Sequence, residues 1–232
     1  MAETLQAIAR SLSADVKTLS TISNNVANMH TPGYRGVRAI PEFSGTVGRE
    51  MVMTTALDQR DGVLAQTGND LDIALRGPGF FVVERDGKML LARAGAFRTD
   101  AEGRLVTVGG DVVIGYSGAI QMPAGNASSG NARFERDGQI FVGDQGVGQL
   151  QIVAVADPSR LLPAGNGAYA YDGDLAEWKG SVVQGAIERA NVDAAEETVR
   201  LMETTRHAES VQRAISIYDK AMDTGINQIG GN

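Results

Sequence analysis

The sequence predicts an α+β protein, with N- and C-terminal α-helices forming a coiled-coil-type domain and a central all-β domain inserted between them. Three observations predict it. Apolar residues recur every seven positions in the first thirty residues, and every three or four in the last forty. Between these segments lie short apolar runs separated by glycine-rich turns. With 232 residues, 43% of them apolar, the chain is long enough to bury a sizeable core. Its 29 glycines and 5% aromatic content favour many turns around aliphatic side chains.

At the N-terminus, Leu5, Leu12, Leu19 and Val26 stand seven apart, with Ile8, Ile22 and Met29 three positions after Leu5, Leu19 and Val26. This spacing defines a heptad seam. Asp15 interrupts one position of it, and His30 to Gly33 end the helix. Residues 34–68 show neither strong helical periodicity nor compact strand signals and read as an extended linker.

The β grammar occupies 69–185. Phe80 to Glu84 and Met89 to Ala92 flank an Arg-Asp-Gly-Lys turn, which is a hairpin signal, and Leu105 to Val108 and Val112 to Ile114 flank Gly109-Gly110 in the same way. The final segment carries Val192, Ala195, Val199 and Met202, then Val211, Ile215, Tyr218, Met222, Ile226 and Ile229, at helical spacing. Asp193 is placed to cap its start, Glu196 to pair with Arg200, and Gly230 and Gly231 to end it. The expected domains are therefore 1–33 with 186–232, a linker at 34–68, and a β domain at 69–185.

The 28 acidic residues against 21 basic ones give a formal charge of -7, the wrong sign for a general nucleic-acid binder. With no cysteine there is neither a disulfide nor a thiolate nucleophile or ligand. The opening MAETLQAIARSLSADVKTL reads as neither a secretory signal nor a membrane span, so membrane insertion is not expected and any export takes another route. Metal and cofactor sites are not expected, because His30 and His207 have no second histidine at ligand spacing. Ser117 lacks the spacing of a nucleophile elbow, and Gly77-Pro78-Gly79 does not open a helix as a phosphate loop would. No catalytic residue is assigned.

One motif is specific. Thr21 to Arg35 contains Asn24, Asn25, Val26, Ala27 and Asn28 on the helical seam, running into Thr31, Pro32, Gly33 and Tyr34. This segment resembles the N-terminal signature of flagellar axial proteins, the rod and hook subunits. Leu71 to Phe81 and Val183 to Val192 resemble the same family, so the likeness covers most of the chain. The resemblance implies a non-enzymatic structural subunit of the basal-body rod, without a cofactor. Its implied partners are copies of itself, other axial proteins and the flagellar type III export apparatus. The assembly interface is then expected at Leu5, Leu12, Leu19 and Val26 with Val199, Met202, Val211, Ile215, Met222 and Ile226. A ligand-binding β module with helical dimerisation arms is the competing class, and it would need a concave site with convergent polar groups.

Overall fold

The computed structural model describes residues 2–44, 50–123 and 132–229. Helix α1 spans Ala2–Asn28 and helix α2 spans Ala194–Ile229. Gly230 and Gly231, the expected end of α2, lie outside the described residues. The strands run in order: β1 Val37–Ser44, β2 Glu50–Leu57, β3 Leu64–Gln66, β4 Ile73–Arg76, β5 Phe80–Arg85, β6 Lys88–Ala92, β7 Phe97–Thr99, β8 Leu105–Thr107, β9 Val112–Gly115 and β10 Gly118–Ala119. They continue as β11 Ala132–Phe134, β12 Gln139–Val142, β13 Gln145–Gln149, β14 Ile152–Val155, β15 Leu162–Gly165, β16 Ala168–Ala170, β17 Leu175–Glu177, β18 Ser181–Gln184 and β19 Ala186–Glu188.

The chain divides into two compact units. A helical unit comprises 1–27, 37–56 and 193–232, and a β unit comprises 28–36 and 57–192. The stretch 34–68, expected as an extended linker, contains β1 and β2, which pair with each other, and β3, which pairs with β19.

In the β unit the largest sheet orders its strands β15-β16-β6-β5-β9-β8-β7, with β10 on β9 and β14 joining β5 to β17. Strand β5 is buried on both sides. Phe81 and Val83 enter the larger core cluster with Ile73, Leu75, Leu105, Val113, Ile140 and Leu150, while Phe80 and Val82 enter a second cluster with Leu91, Ile114, Leu161 and Tyr169. Alternation of side chains along a strand therefore builds two apolar layers from one run. Phe81 meets Phe97 edge-on at 5.0 Å between ring centroids, and Phe80 meets Tyr169 at 6.0 Å. The Arg-Asp-Gly-Lys turn is the expected hairpin, with Arg85 opposite Lys88. Asp86 and Gly87 both have positive φ, 51° and 75°, as a two-residue turn matched to strand twist requires.

The helical unit differs from the sequence expectation. The chain is α+β, but its two helices do not form a coiled-coil-type domain. A coiled coil needs its seam positions buried against the facing helix. Instead, Val26 is 42% exposed, Val199 49% and Met202 50%, while Leu12, Leu19, Val211 and Ile215 are half-buried. The side chains of Leu5, Met222 and Ile226 fall outside those described. What α1 buries is a mixed stripe of Asp15, Thr21, Ile22 and Asn25. Asp15 meets His207 of α2, whose Nδ1 lies 2.9 Å from each carboxylate oxygen. A buried carboxylate needs such a polar partner, and this pairing replaces the interlocking of apolar side chains expected of the seam.

Asp193 caps α2 as expected, its side chain accepting from the N–H groups of Ala195 and Glu196 at 2.8 and 3.3 Å. The hydroxyls of Thr18 and Thr21 on α1, and of Thr198, Thr204 and Thr205 on α2, each donate to the carbonyl four residues back.

Candidate assembly site and its supporting clamps

The Asn-rich motif is shared between the two units, and its two parts do different work. In the helical unit, Asn25 is buried and holds the start of β1 from the side. Its Nδ2 donates to the Val37 carbonyl at 2.8 Å and its Oδ1 accepts the Val37 N–H at 2.8 Å. One side-chain amide thus pairs both backbone groups of a strand residue, which only Asn or Gln can do. Strand β1 also offers Arg38, whose Nη2 donates to Glu196 of α2 at 3.2 Å, and Arg200 reaches the same oxygen at 3.0 Å. Glu196 therefore pairs with Arg200 as its spacing predicts. Asn24 and Ala27 are exposed beside Val26.

We expect Asn25→Ala to leave both Val37 groups without their side-chain partner and to destabilise the helical unit by about 1–3 kcal/mol. Faster trypsin cleavage after Arg38 in the full chain is the readout; an unchanged rate contradicts the clamp.

In the β unit, Thr31 to Tyr34 forms a turn closed by the Tyr34 N–H to the Thr31 carbonyl at 3.2 Å. Pro32 presets the first central φ, and Gly33 at φ 68° takes the left-handed position after it. The Gly33 N–H donates to the Glu188 carbonyl at 2.7 Å. Asn191 completes the hold. Its Oδ1 accepts from the Gly36 N–H at 2.7 Å, its Nδ2 donates to the carbonyls of Asp58 and Arg60 at 3.0 and 2.7 Å, and its own N–H donates to the Tyr34 carbonyl at 3.3 Å.

Below this turn lies a buried charge network. Arg93 is wholly buried, and Glu188 and Arg35 nearly so. The Arg93 Nε donates to Glu188 at 2.5 Å, Nη1 to the carbonyls of Gly77 and Gly79 at 2.8 and 2.5 Å, and Nη2 to Asp61 and the Leu75 carbonyl, both at 3.2 Å. All five guanidinium N–H donors are accounted for. Burial pushes the Arg93 guanidinium below its ordinary value, with Glu188 opposing the shift. Arg35, the last residue of the motif, donates to the Gln59 carbonyl and, at 2.9 Å, to Asp61. Its guanidinium carbon lies 5.7 Å from the Phe80 ring centroid. The Gly62 N–H donates to the second oxygen of Glu188 at 2.9 Å.

The motif residues thus fall into internal clamps, at Asn25, Gly33 and Arg35, and exposed positions, at Asn24, Val26 and Ala27. His207 sits against Asp15, and His30 and Ser117 are exposed. Among the described residues no group of three or more His, Asp or Glu is placed to hold a metal. Arg93, Glu188, Asn191 and Glu197 were not singled out from sequence as site residues. A detectable signal did exist for Arg93, a lone cation inside the apolar run Leu90 to Phe97.

Three family models match the chain. The flagella basal body rod protein model covers residues 5–35, the flagellar hook protein FlgE/F/G D1 domain model covers 74–151, and the flagellar basal body rod FlgEFG protein C-terminal model covers 183–229. The flagellar basal-body rod protein FlgG of Buchnera aphidicola from Acyrthosiphon pisum is 30% identical over 249 aligned positions, covering 91% of this chain and 94% of that one. The flagellar basal-body rod protein FlgF of Rhizobium meliloti is 28% identical over 233 positions, covering 93% of each. The FlgF of Caulobacter vibrioides is 28% identical over 231 positions, covering 92% of each.

Proposed function

Because this chain belongs to the flagellar basal-body rod protein family, we propose that the helical unit assembles it with neighbouring axial subunits. It is a structural subunit of the rod. The observation that carries the assembly reading is that both helices covered by the family's rod models leave large apolar side chains in solvent: Val16 and Val26 on α1, and Val199, Leu201, Met202 and Ile217 on α2. Val199 and Met202 stand three positions apart on α2 and so share one face of it, and apolar side chains gathered on an exposed face mark an interaction surface. The proposed surface keeps Val26, Val199 and Met202 from the sequence expectation and places half-buried Leu12, Leu19, Val211 and Ile215 at its margins.

Within the family, the FlgF-type proximal rod position is favoured over the FlgG-type distal one. The Rhizobium FlgF alignment covers slightly more of this chain in fewer positions than the Buchnera FlgG alignment, so it needs fewer gaps. The role we infer is non-catalytic, in a rod that crosses the periplasm, with the flagellar type III export apparatus as a transient partner. The rod-protein relatives support the non-catalytic part.

The test is Val26→Asp combined with Met202→Asp. Both side chains already face solvent, so the isolated chain should change in stability by only about 0.5 kcal/mol per site. Cells carrying the double variant should nevertheless lack hooks and filaments, because the new carboxylates become desolvated on packing. Normal swimming would place the assembly surface elsewhere. Electron microscopy of basal bodies with this chain labelled separates the proximal position from the distal one.

A further inference from the structure

In the helical unit, α1, β1 and α2 line a pocket of about 200 Å³ that opens to solvent, with Thr21 and Ile22, Arg38, and Glu197, Arg200 and Glu203 in its walls. Glu197 is only 4% exposed. One of its carboxyl oxygens interacts with the side chain of Asn25, and the other, Oε2, is buried without a hydrogen-bond partner. The neighbours leave it so for identifiable reasons. The Thr21 hydroxyl proton is committed to the Lys17 carbonyl at 2.9 Å. Arg38 and Arg200 each aim an Nη2 at Glu196.

We propose that Glu197 is a proton-operated latch on the helical unit. Neutral, it seats the first turn of α2 beside Asn25 and β1; ionised, it places a charge on an oxygen with no donor and loosens that seat. The first thing released is the Asn25–Val37 pair, because Asn25 is the side chain that touches both. Among the described residues, the titratable and charged groups around Glu197 are Arg38 from β1 and Glu196, Arg200 and Glu203 from α2, while α1 presents the uncharged Thr18, Thr21, Ile22 and Asn25. Desolvation is the leading influence and pushes the Glu197 carboxyl above the ordinary carboxylate range. Asn25 and Arg38 pull it back, and Glu196 adds to the rise.

A carboxyl whose folded value is raised holds its proton in the folded state over a range where the unfolded chain has released it. The stability it contributes is complete below the ordinary carboxylate range and falls as pH rises towards the folded value. One proton makes the limiting fall about tenfold in the opening equilibrium per pH unit.

Amide hydrogen exchange on the full chain tests this, read at the Val37 N–H and corrected for the intrinsic pH dependence of exchange. Protection at Val37 should fall by up to about tenfold per pH unit above the ordinary carboxylate range. It should be flat with pH in Glu197→Gln and still sloped in Glu196→Gln. Amides of β5 serve as the reference and should stay flat throughout. A flat wild type, or an equal slope in Glu197→Gln, overturns the proposal. So does a Gln variant unprotected at low pH, because the neutral isostere is the state that seats.

Discussion

Arg93→Met should cost the β unit about 3–5 kcal/mol, because it removes one partner of a buried ion pair and leaves Glu188 charged in the interior. The loss is larger than that of a surface pair for a geometric reason. The guanidinium bonds the carbonyls of Leu75, Gly77 and Gly79, and those acceptors lose their donor together with Glu188. Trp178, the one tryptophan of the chain, packs against the larger core cluster and reports this unit's unfolding. A urea midpoint by Trp178 fluorescence unchanged from wild type would show that the network contributes little. Arg93→Met with Glu188→Leu should recover part of the loss, since removing both charges removes the desolvated carboxylate.

Gly33→Ala should be of comparable size and acts through the backbone alone. An alanine Cβ at Gly33 would lie 2.4 Å from the Ala94 nitrogen and 2.7 Å from the Ala94 Cα. Neither atom can move without shifting the chain next to Arg93. The left-handed φ adds about 1–2 kcal/mol of its own. We expect a total loss of about 3 kcal/mol or more, with the Gly33 to Glu188 bond broken. The same fluorescence titration is the measure, and a shift below about 1 kcal/mol would show that the turn relocates freely. The glycine of the Thr-Pro-Gly-Tyr motif is therefore explained by the folding of this chain, before any neighbour arrives.

The elements legible in the sequence were those with local causes. The Arg-Asp-Gly-Lys hairpin needs only positive φ at two adjacent residues, and the Asp193 cap needs only a short acceptor before a helix. The helix pairing was misread because heptad spacing records which residues share a face without recording what that face meets. Leu12, Leu19 and Val26 do recur every seven positions, yet the stripe α1 buries is turned towards Asp15, Ile22 and Asn25. Asp15 interrupted the seam in the sequence for a reason visible only in space, since its partner His207 is 192 positions away. The partners of Asn191, Glu188 and Arg93 were hidden for the same reason, although Arg93 itself stood out as a cation in an apolar run. Each joins segments far apart in the chain, and no period or turn signal encodes a partner at that distance. Asn25 was legible as part of a motif, whereas its task, holding Val37 by both backbone groups, was not.

The five helical threonines that return their hydroxyl protons to the backbone change how these helices meet water. Such a hydroxyl no longer donates outward; it retains only acceptor capacity, and the methyl group beside it adds to the hydrocarbon skin. On α2 this holds for Thr198, Thr204 and Thr205, in the same helix as exposed Leu201 and Met202. The helix is consequently drier than its letters suggest. Removing the water around Thr198, Thr204 and Thr205 strands no hydroxyl proton of theirs, so covering this surface carries a smaller dehydration penalty than a count of polar residues would predict.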